Sequence, residues 1–441
     1  MNSTARMFLR CSAVWSLLPM AIPVASALTP PPSRLQVEAH STLVRAPVDL
    51  DCPARFGIAV AIDGERLFVG ADGRRDGPPC PGTVAMFVRG PALEWLFEGL
   101  INAPNPEIGD EFGATLALDG DRLLVGSPGR LGEQGGAWCF HLSPGEITVE
   151  SVIELTVADA RAGDRFGESV ALDGPHVAIG APRADVDGFL DRGRVVVTRL
   201  RPRFALPWQE VRPRRSTTGL RFGTSVAWGP TLAIGCPGAD VRSPSALVIE
   251  RHPRGPIDRS LVDRAGAVMI HQRESPHRAL AVLHRRSPAP LERTGTTACF
   301  VGATLVAGAP RAYTGPVRGG KLIFFGRPMA EIGVPFHRDG GFGSTLAASG
   351  HRFAAGVPGR RDAHGRIDAG VRIGDRRNGQ FRVRWEIVGL GGTRTLLALA
   401  LAPDGDLLAI GTPDPAIDDG PVLDGMVRVV RLEPHGLEVV P

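Results

Sequence analysis

Seven times along this chain an apolar hairpin ends on a glycine, at nearly constant spacing. Five copies begin with Phe-Gly and end with a Gly-Ala-Pro-like triplet. Phe56-Gly57 goes with Val69-Gly70-Ala71, Phe112-Gly113 with Gly126-Ser127-Pro128, and Phe166-Gly167 with Gly180-Ala181-Pro182. Phe222-Gly223 goes with Gly235-Cys236-Pro237, and Phe342-Gly343 with Gly356-Val357-Pro358. Two degraded copies read Gly295-Thr296 with Gly308-Ala309-Pro310, and Leu397-Ala398 with Gly411-Thr412-Pro413. The anchor glycines Gly70, Gly126, Gly180, Gly235, Gly308, Gly356 and Gly411 are spaced 56, 54, 55, 73, 48 and 55 apart. A period of this size means stacked supersecondary units that share one continuous core.

Each unit reads as four strands. The first alternates, as in Phe112-Gly113-Ala114-Thr115-Leu116-Ala117-Leu118, and turns at Asp119-Gly120 into Arg122-Leu123-Leu124-Val125-Gly126. Asp-Gly between apolar runs is a strong hairpin signal, because the tight turn needs positive φ and glycine supplies it. It recurs at Asp63-Gly64, Asp173-Gly174 and Asp404-Gly405. A polar loop leads to a third strand such as Lys321-Leu322-Ile323-Phe324-Phe325, and a fourth such as Leu93-Glu94-Trp95-Leu96-Phe97 precedes the next Phe-Gly. Helical periodicity is absent. The pattern predicts an all-β fold, a seven-bladed β-propeller of four-stranded antiparallel blades. In it Phe packs between neighbouring sheets and Gly permits close backbone approach. Either Arg34–His40 or Gly436–Val440 would close the last blade beside Met426–Leu432.

Residues 1–27 read as a secretory signal peptide. Arg6 and Arg10 precede an apolar stretch from Cys11 to Val24, and Ala25-Ser26-Ala27 is a small-residue cleavage site. That stretch is short for a span and carries Pro19 and Pro23, so the mature chain, residues 28–441, is expected to be a single propeller with no membrane span. The expected location is secreted, periplasmic or cell surface, and the expected state is a monomer. Net charge is +4 and falls to +2 once Arg6 and Arg10 are removed, too balanced for a nucleic-acid partner. Five cysteines remain: Cys52, Cys80, Cys139, Cys236 and Cys299. Cys52 and Cys80 flank the first repeat core and form the best candidate disulfide in an oxidising compartment.

The pairing of Phe-Gly with Gly-Ala-Pro over residues 34–441 resembles the FG-GAP repeat of integrin α-subunit heads and bacterial exported proteins. The resemblance implies a seven-bladed propeller, with partner binding on one face and calcium on the other. Integrin-like repeats place their calcium in an Asp-rich loop between strands one and two. Here that connection is only a turn, Asp63-Gly64-Glu65, Asp119-Gly120-Asp121 or Asp173-Gly174-Pro175. Calcium needs six or more oxygens, so calcium is not expected there and no cofactor is expected elsewhere. Asp185, Asp187 and Asp191, between strands two and three of blade three, are the weak metal candidates. They lack the terminal bidentate glutamate of an EF-hand loop.

The main irregularity is the loop between strands two and three of blade four. Thirty-one positions separate Gly235 from Gly266, against 10 to 14 in the other copies. The insertion, about residues 242–264, carries Arg242, Arg251, Arg254, Arg259 and Arg264. These are the candidate partner-binding residues, since long loops on rigid scaffolds often carry function. There is no G-x-S-x-G elbow, H-E-x-x-H pair or phosphate-binding loop, and no catalytic residue is assigned. The composition and motifs favour an exported, non-enzymatic scaffold that contacts protein or glycan at the cell surface. Its working face would bear the loops Ala71–Pro81, Ala181–Arg192, Arg242–Arg264 and Val357–Ala369. The alternative is a propeller hydrolase or lyase acting on extracellular polysaccharide, built from carboxylates near the axis.

Overall fold

In the computed structural model of the chain, Asp-Gly turns fold inner strands back onto their neighbours. Gly64, Gly120, Gly174 and Gly405 all take positive φ, a region that costs glycine little. The structure describes residues 32–36, 41–47, 50, 54–74, 80–92, 94–144, 148–213, 218–242, 249–252, 255–258, 261–326, 328–333, 341–361, 367–388, 390, 398–413 and 425–432.

Seven antiparallel sheets form the blades. Their inner strands are Ala59–Ile62, Thr115–Asp119, Ser169–Asp173, Val226–Trp228, Thr297–Val301, Leu346–Ser349 and Ala398–Leu401. Each lies against the inner strands of the blades before and after it, and the first lies against the last, which closes the ring. Blade three has a split outer edge, Phe204–Ala205 and Gln209–Val211, both paired with Arg194–Arg201. Pro207 lies between the two pieces, where a residue without an amide hydrogen breaks a ladder. One helical turn, Arg130–Glu133, is present among the described residues, and Leu131 (φ 51°) and Gly132 (φ 67°) inside it are left-handed. The predicted seven-bladed all-β fold is the observed one.

Two sequence expectations change. The ring closes through Ser41–Arg45, antiparallel to Met426–Arg431, and not through the preceding Arg34–His40. Val44 is the reason, since it is buried with Val60, Val427 and Val429 in the seam between blades seven and one. Ser33–Gln36 instead runs parallel to Trp385–Val388 on the outer edge of blade six. Gly436–Val440 lies outside the described residues. The degraded repeats are also offset. In blade five the amide of Gly295 donates to the carbonyl of Gly308, as Gly57 does to Gly70, so Thr294-Gly295 occupies the Phe-Gly position. In blade seven Ala398 faces Gly411 as Thr115 faces Gly126, which moves that copy's first two residues to positions 395–396, outside the described residues.

Apolar clusters fill all seven seams between blades. Phe112 packs between blades one and two with Phe68, Val84 and Leu123, edge-on to Trp138 at 5.4 Å. Phe166 packs between blades two and three with Leu124, Ile153 and Val177. Both rings are fully buried. The blade-four insertion is a ribbon: Val241–Arg242 pairs with Leu261–Val262, and Ile249–His252 with Gly255–Asp258. Val241 anchors its base in the blade-four core.

The seam also has a polar component. The Thr115 hydroxyl donates to Gly167 O at 2.8 Å, Ser169 to Gly223 O at 2.7 Å, Ser225 to Gly295 O at 3.0 Å and Thr297 to Gly343 O at 2.7 Å. Each bond joins an inner strand to the next blade. Truncating Phe166 to Ala should cost about 3–5 kcal/mol. Ser169→Ala, which leaves a buried carbonyl with one partner fewer, should cost about 1 kcal/mol. Chemical denaturation of the two variants measures both, and equal effects would contradict this division of the seam.

Candidate binding cleft

In blades one to five the residue before the Phe-Gly position, which is Thr294-Gly295 in blade five, sits in a tight turn on one face of the propeller. Arg55, Glu111, Arg165, Arg221 and Arg293 have φ of 60°, 57°, 56°, 54° and 59°, a region uncommon for residues with a side chain. Their carbonyls accept from the amides of Ile58, Ala114, Glu168, Thr224 and Thr296, three residues on. The turn therefore repeats from blade to blade while its side chain varies. It lies on the same face as the loops between strands two and three.

Across blades one to three these side chains form a closely paired belt. Arg55 meets Asp72 at 2.8 Å, and Arg74 meets Glu111 at 3.0 Å. Arg165, almost fully buried, meets Glu111 at 2.6 Å, Glu133 at 2.9 Å and Glu168 at 2.9 Å. Burial pushes the Asp72 carboxyl up to about 6, with Arg55 opposing the rise.

The belt opens at blades three to five into a cleft of about 270 Å³. Arg183, Arg221, Arg264 and Arg293 line it, against the two carboxylates of Glu168 and Asp191. The pairing here is loose. Arg183 is 3.7 Å from Glu168, Arg221 is 3.9 Å from Asp191, and Arg264 is 4.0 Å from Asp263. All three distances exceed hydrogen-bond reach. Glu168 is already engaged by Arg165. Arg293 has no carboxylate partner among the described residues. Partial burial, then the like charges of Arg311, Arg221 and Arg264, hold it below the ordinary arginine range. The Thr224 and Thr296 hydroxyls donate to the carbonyls of Arg221 and Arg293 at 2.8 and 2.7 Å, which leaves their oxygens able to accept. Four guanidinium forks around a half-open polar cavity suit a ligand that carries negative charge.

Of the residues singled out from sequence, Arg264 lies in this cleft, in a left-handed turn whose amide donates to Asp240. Arg242 and Arg251 lie on the ribbon strands. Arg254 and Arg259 lie outside the described residues. Sequence reasoning passed over Arg183, Arg221 and Arg293. For Arg221 and Arg293 the signal was the residue before the Phe-Gly position, charged in blades one to five; Arg183, after Pro182, carried none.

The three candidate metal ligands are spread over other tasks. Asp187 pairs with Arg192 and, at 3.1 Å, with Arg212, and Asp185 accepts from the Asp191 amide at 2.9 Å. Asp191 lines the cleft. On the opposite face the turn carboxylates also have partners: Asp63 with Arg66 at 2.6 Å, Asp119 with the Gly174 amide, and Asp173 with Arg273 at 2.5 Å. Among the described residues no group of three or more His, Cys, Asp or Glu is placed to hold a metal ion.

Comparison with known families matches residues 150–197 to the FG-GAP repeat. The matched stretch holds Phe166-Gly167 and Gly180-Ala181-Pro182, and runs from the outer strand of blade two through the third strand of blade three. Residues 150–197 thus carry an FG-GAP repeat, within a seven-bladed β-propeller. No curated protein matches the chain. The FG-GAP face is the one that bears the belt and the cleft, and the fold is that of a binding scaffold in general.

Two outcomes follow from the charges on this face. Arg293→Gln relieves repulsion without breaking an ion pair, so thermal unfolding should show stability unchanged or raised by on the order of 0.5 kcal/mol, given the solvent screening. A clear loss would mean that Arg293 has a structural partner. For Asp72 the folded-state value of about 6 lies above the ordinary aspartate value of 3.8. Between those values the folded protein holds a proton that the unfolded chain has lost. Its contribution is therefore favourable below pH 4 and is lost as pH rises through 6, by about 3 kcal/mol at 1.36 kcal/mol per unit. Denaturation curves from pH 4 to 7 should show that slope, and Asp72→Asn should flatten it.

Proposed function

We propose that this protein is an exported, non-catalytic scaffold that holds a protein or glycan at the cell surface through its FG-GAP face. The observation that carries the reading is the open arginine cleft at blades three to five, on the same face as the blade-four ribbon. In blades one to three the same repeat position is closely ion-paired. Charges left without close partners on a rigid scaffold favour recognition of an opposite charge.

Export is supported by the leader-like residues 1–27 and by Cys80, which is disulfide-bonded, while Cys139, Cys236 and Cys299 are free. Disulfides persist in oxidising compartments. Cys52, its expected partner, lies outside the described residues. No helix among the described residues is long and apolar enough to cross a membrane. Binding is favoured over hydrolysis because the cleft carboxylates Glu168 and Asp191 face arginines and do not stand as a free acid–base pair.

The ribbon tests this reading. Replacing residues 243–260 by a two-residue Asn-Gly turn, which keeps the pairs Val241–Val262 and Arg242–Leu261, should leave folding intact, because the base rung packs on the core. Attachment of the labelled, purified protein to the surface of the producing cells should fall several-fold. Attachment unchanged by the deletion would show that the ribbon takes no part in it. Calcium, from micromolar to millimolar, should leave the melting temperature unchanged. A saturable rise abolished by Asp187→Ala would instead place a metal at the Asp185–Asp191 loop.

A further inference from the structure

We infer that the cleft takes one anionic sugar residue of an acidic polysaccharide, its carboxylate or sulfate gripped by Arg221, Arg264 and Arg293. The inference rests on the scaffold reading above and narrows its ligand to one class.

Size is the first argument. At about 270 Å³ the cleft lies just under the range of small-molecule sites, roughly 300–1,000 Å³. That is more room than a lone carboxylate or an inorganic ion fills, and it accommodates a single ring with a charged substituent.

The mixed lining is the second. A purely basic pocket would accept any anion. Here Glu168 and Asp191 share the wall with the arginines, and the Thr224 and Thr296 oxygens have free acceptor capacity. These four groups match a ligand that presents several hydroxyl donors beside one anionic group, as an acidic sugar does. Pro182 and Pro237 add apolar ring faces to the same wall, against which the C–H face of a sugar ring packs. An acidic peptide fits less well. It supplies few hydroxyl donors for Glu168, Asp191 and the threonine oxygens to bind.

The arginines supply the third argument. Arg221 and Arg293 occupy the same repeat position as Arg165, one and two blades further round the ring. Arg165 has three carboxylates within 2.9 Å. Arg221 has one at 3.9 Å, and Arg293 has none among the described residues. A geometry that in blade three is completed by protein carboxylates is thus left incomplete in blades four and five, and an incoming anion would complete it.

Calorimetric titration of the full mature chain with four probes tests this: hexagalacturonate, its methyl ester, a sulfated hexasaccharide and hexaglutamate. One or both anionic hexasaccharides should bind, weakening as salt rises because the contact is charge-driven. The methyl ester and hexaglutamate should bind at least tenfold more weakly. Arg221→Gln and Arg293→Gln should each weaken the anionic sugar at least tenfold without lowering the melting temperature. Arg293→Lys, which keeps the charge and loses the fork, should recover part of the affinity.

The inference fails if the ester binds as well as the acid, if hexaglutamate binds as tightly as either sugar, if no anionic sugar binds below 1 mM (roughly the weakest specific affinity worth the name), or if Arg293→Gln changes nothing. Should it fail while removal of the ribbon still weakens cell attachment, the scaffold reading stands and only the ligand class is lost. Should the sugar bind while cell attachment is indifferent to both ribbon and arginines, the site is real and the surface role is what falls.

Discussion

The whole propeller depends on how closely two backbones meet at each seam. A β-carbon on Gly70 would overlap the carbonyl oxygen of Gly113 in the next blade, and the same holds for Gly126 on Gly167, Gly180 on Gly223, Gly235 on Gly295, Gly308 on Gly343 and Gly411 on Gly57. The last of these carries the contact across the closure of the ring. One glycine of the terminal triplet therefore faces the glycine of the next Phe-Gly pair, and neither tolerates a side chain. The Phe ring then fills the space beside this contact. In blades two to five the hydroxyl two residues after the glycine of the Phe-Gly position donates to the carbonyl of the corresponding glycine in the next blade. The repeat is conspicuous in the sequence because it is the seam itself.

A seam built from backbone and buried rings leaves the exposed turn beside it unconstrained. The residue before Phe-Gly needs only to adopt a left-handed turn. Five blades place a charged side chain there, and what that charge does depends on its neighbours around the ring. In blades one to three the neighbours are opposite charges within 3 Å. In blades four and five they are mainly other arginines, with Asp191 at 3.9 Å from Arg221. One structural device thus gives a rigid ionic belt on one arc of the face and an open cleft on the next. Buried ion pairs as in the belt contribute modest net stability, because desolvation offsets most of the attraction. The ring is held by its seams, and the belt mainly fixes side-chain geometry.

The blade count, the turns and the roles of Phe112 and Phe166 were legible in the sequence, because each is encoded within one repeat of about 55 residues. The closing strand was harder. Ser41–Arg45 is short and carries no motif, and it is distinguished from Arg34–His40 only by burying Val44 against the far end of the chain. The ribbon read as a loop because its rungs are two and four residues long and interrupted by Pro253 and Pro256. The cleft was the least legible element. Arg183, Arg221, Arg264 and Arg293 come from three blades and span 110 positions, and each alone is an ordinary surface arginine. Only the closed ring makes them neighbours.

The degenerate repeat of blade five lies at the edge of that cleft. Thr294 stands where five other blades carry Phe, yet the seam behind it keeps its backbone form. The Thr294 amide donates to Ala265 O at 2.9 Å, as Phe166 donates to Gln134 O at 3.0 Å. Gly266 is as tightly opposed to Thr294 as Gly135 is to Phe166. The lost ring is offset from the other side, where Phe300 and Phe325 pack partly buried against Ala233 and Ala307. The seam thus tolerates loss of its aromatic so long as the glycines remain. Variation is therefore cheapest in the residues flanking Gly295, namely Arg293, Thr294 and Thr296, and two of these line the cleft. A repeat protein that acquires a binding site by altering one copy is expected to do so at positions like these, next to a glycine contact strong enough to hold the ring closed without the Phe.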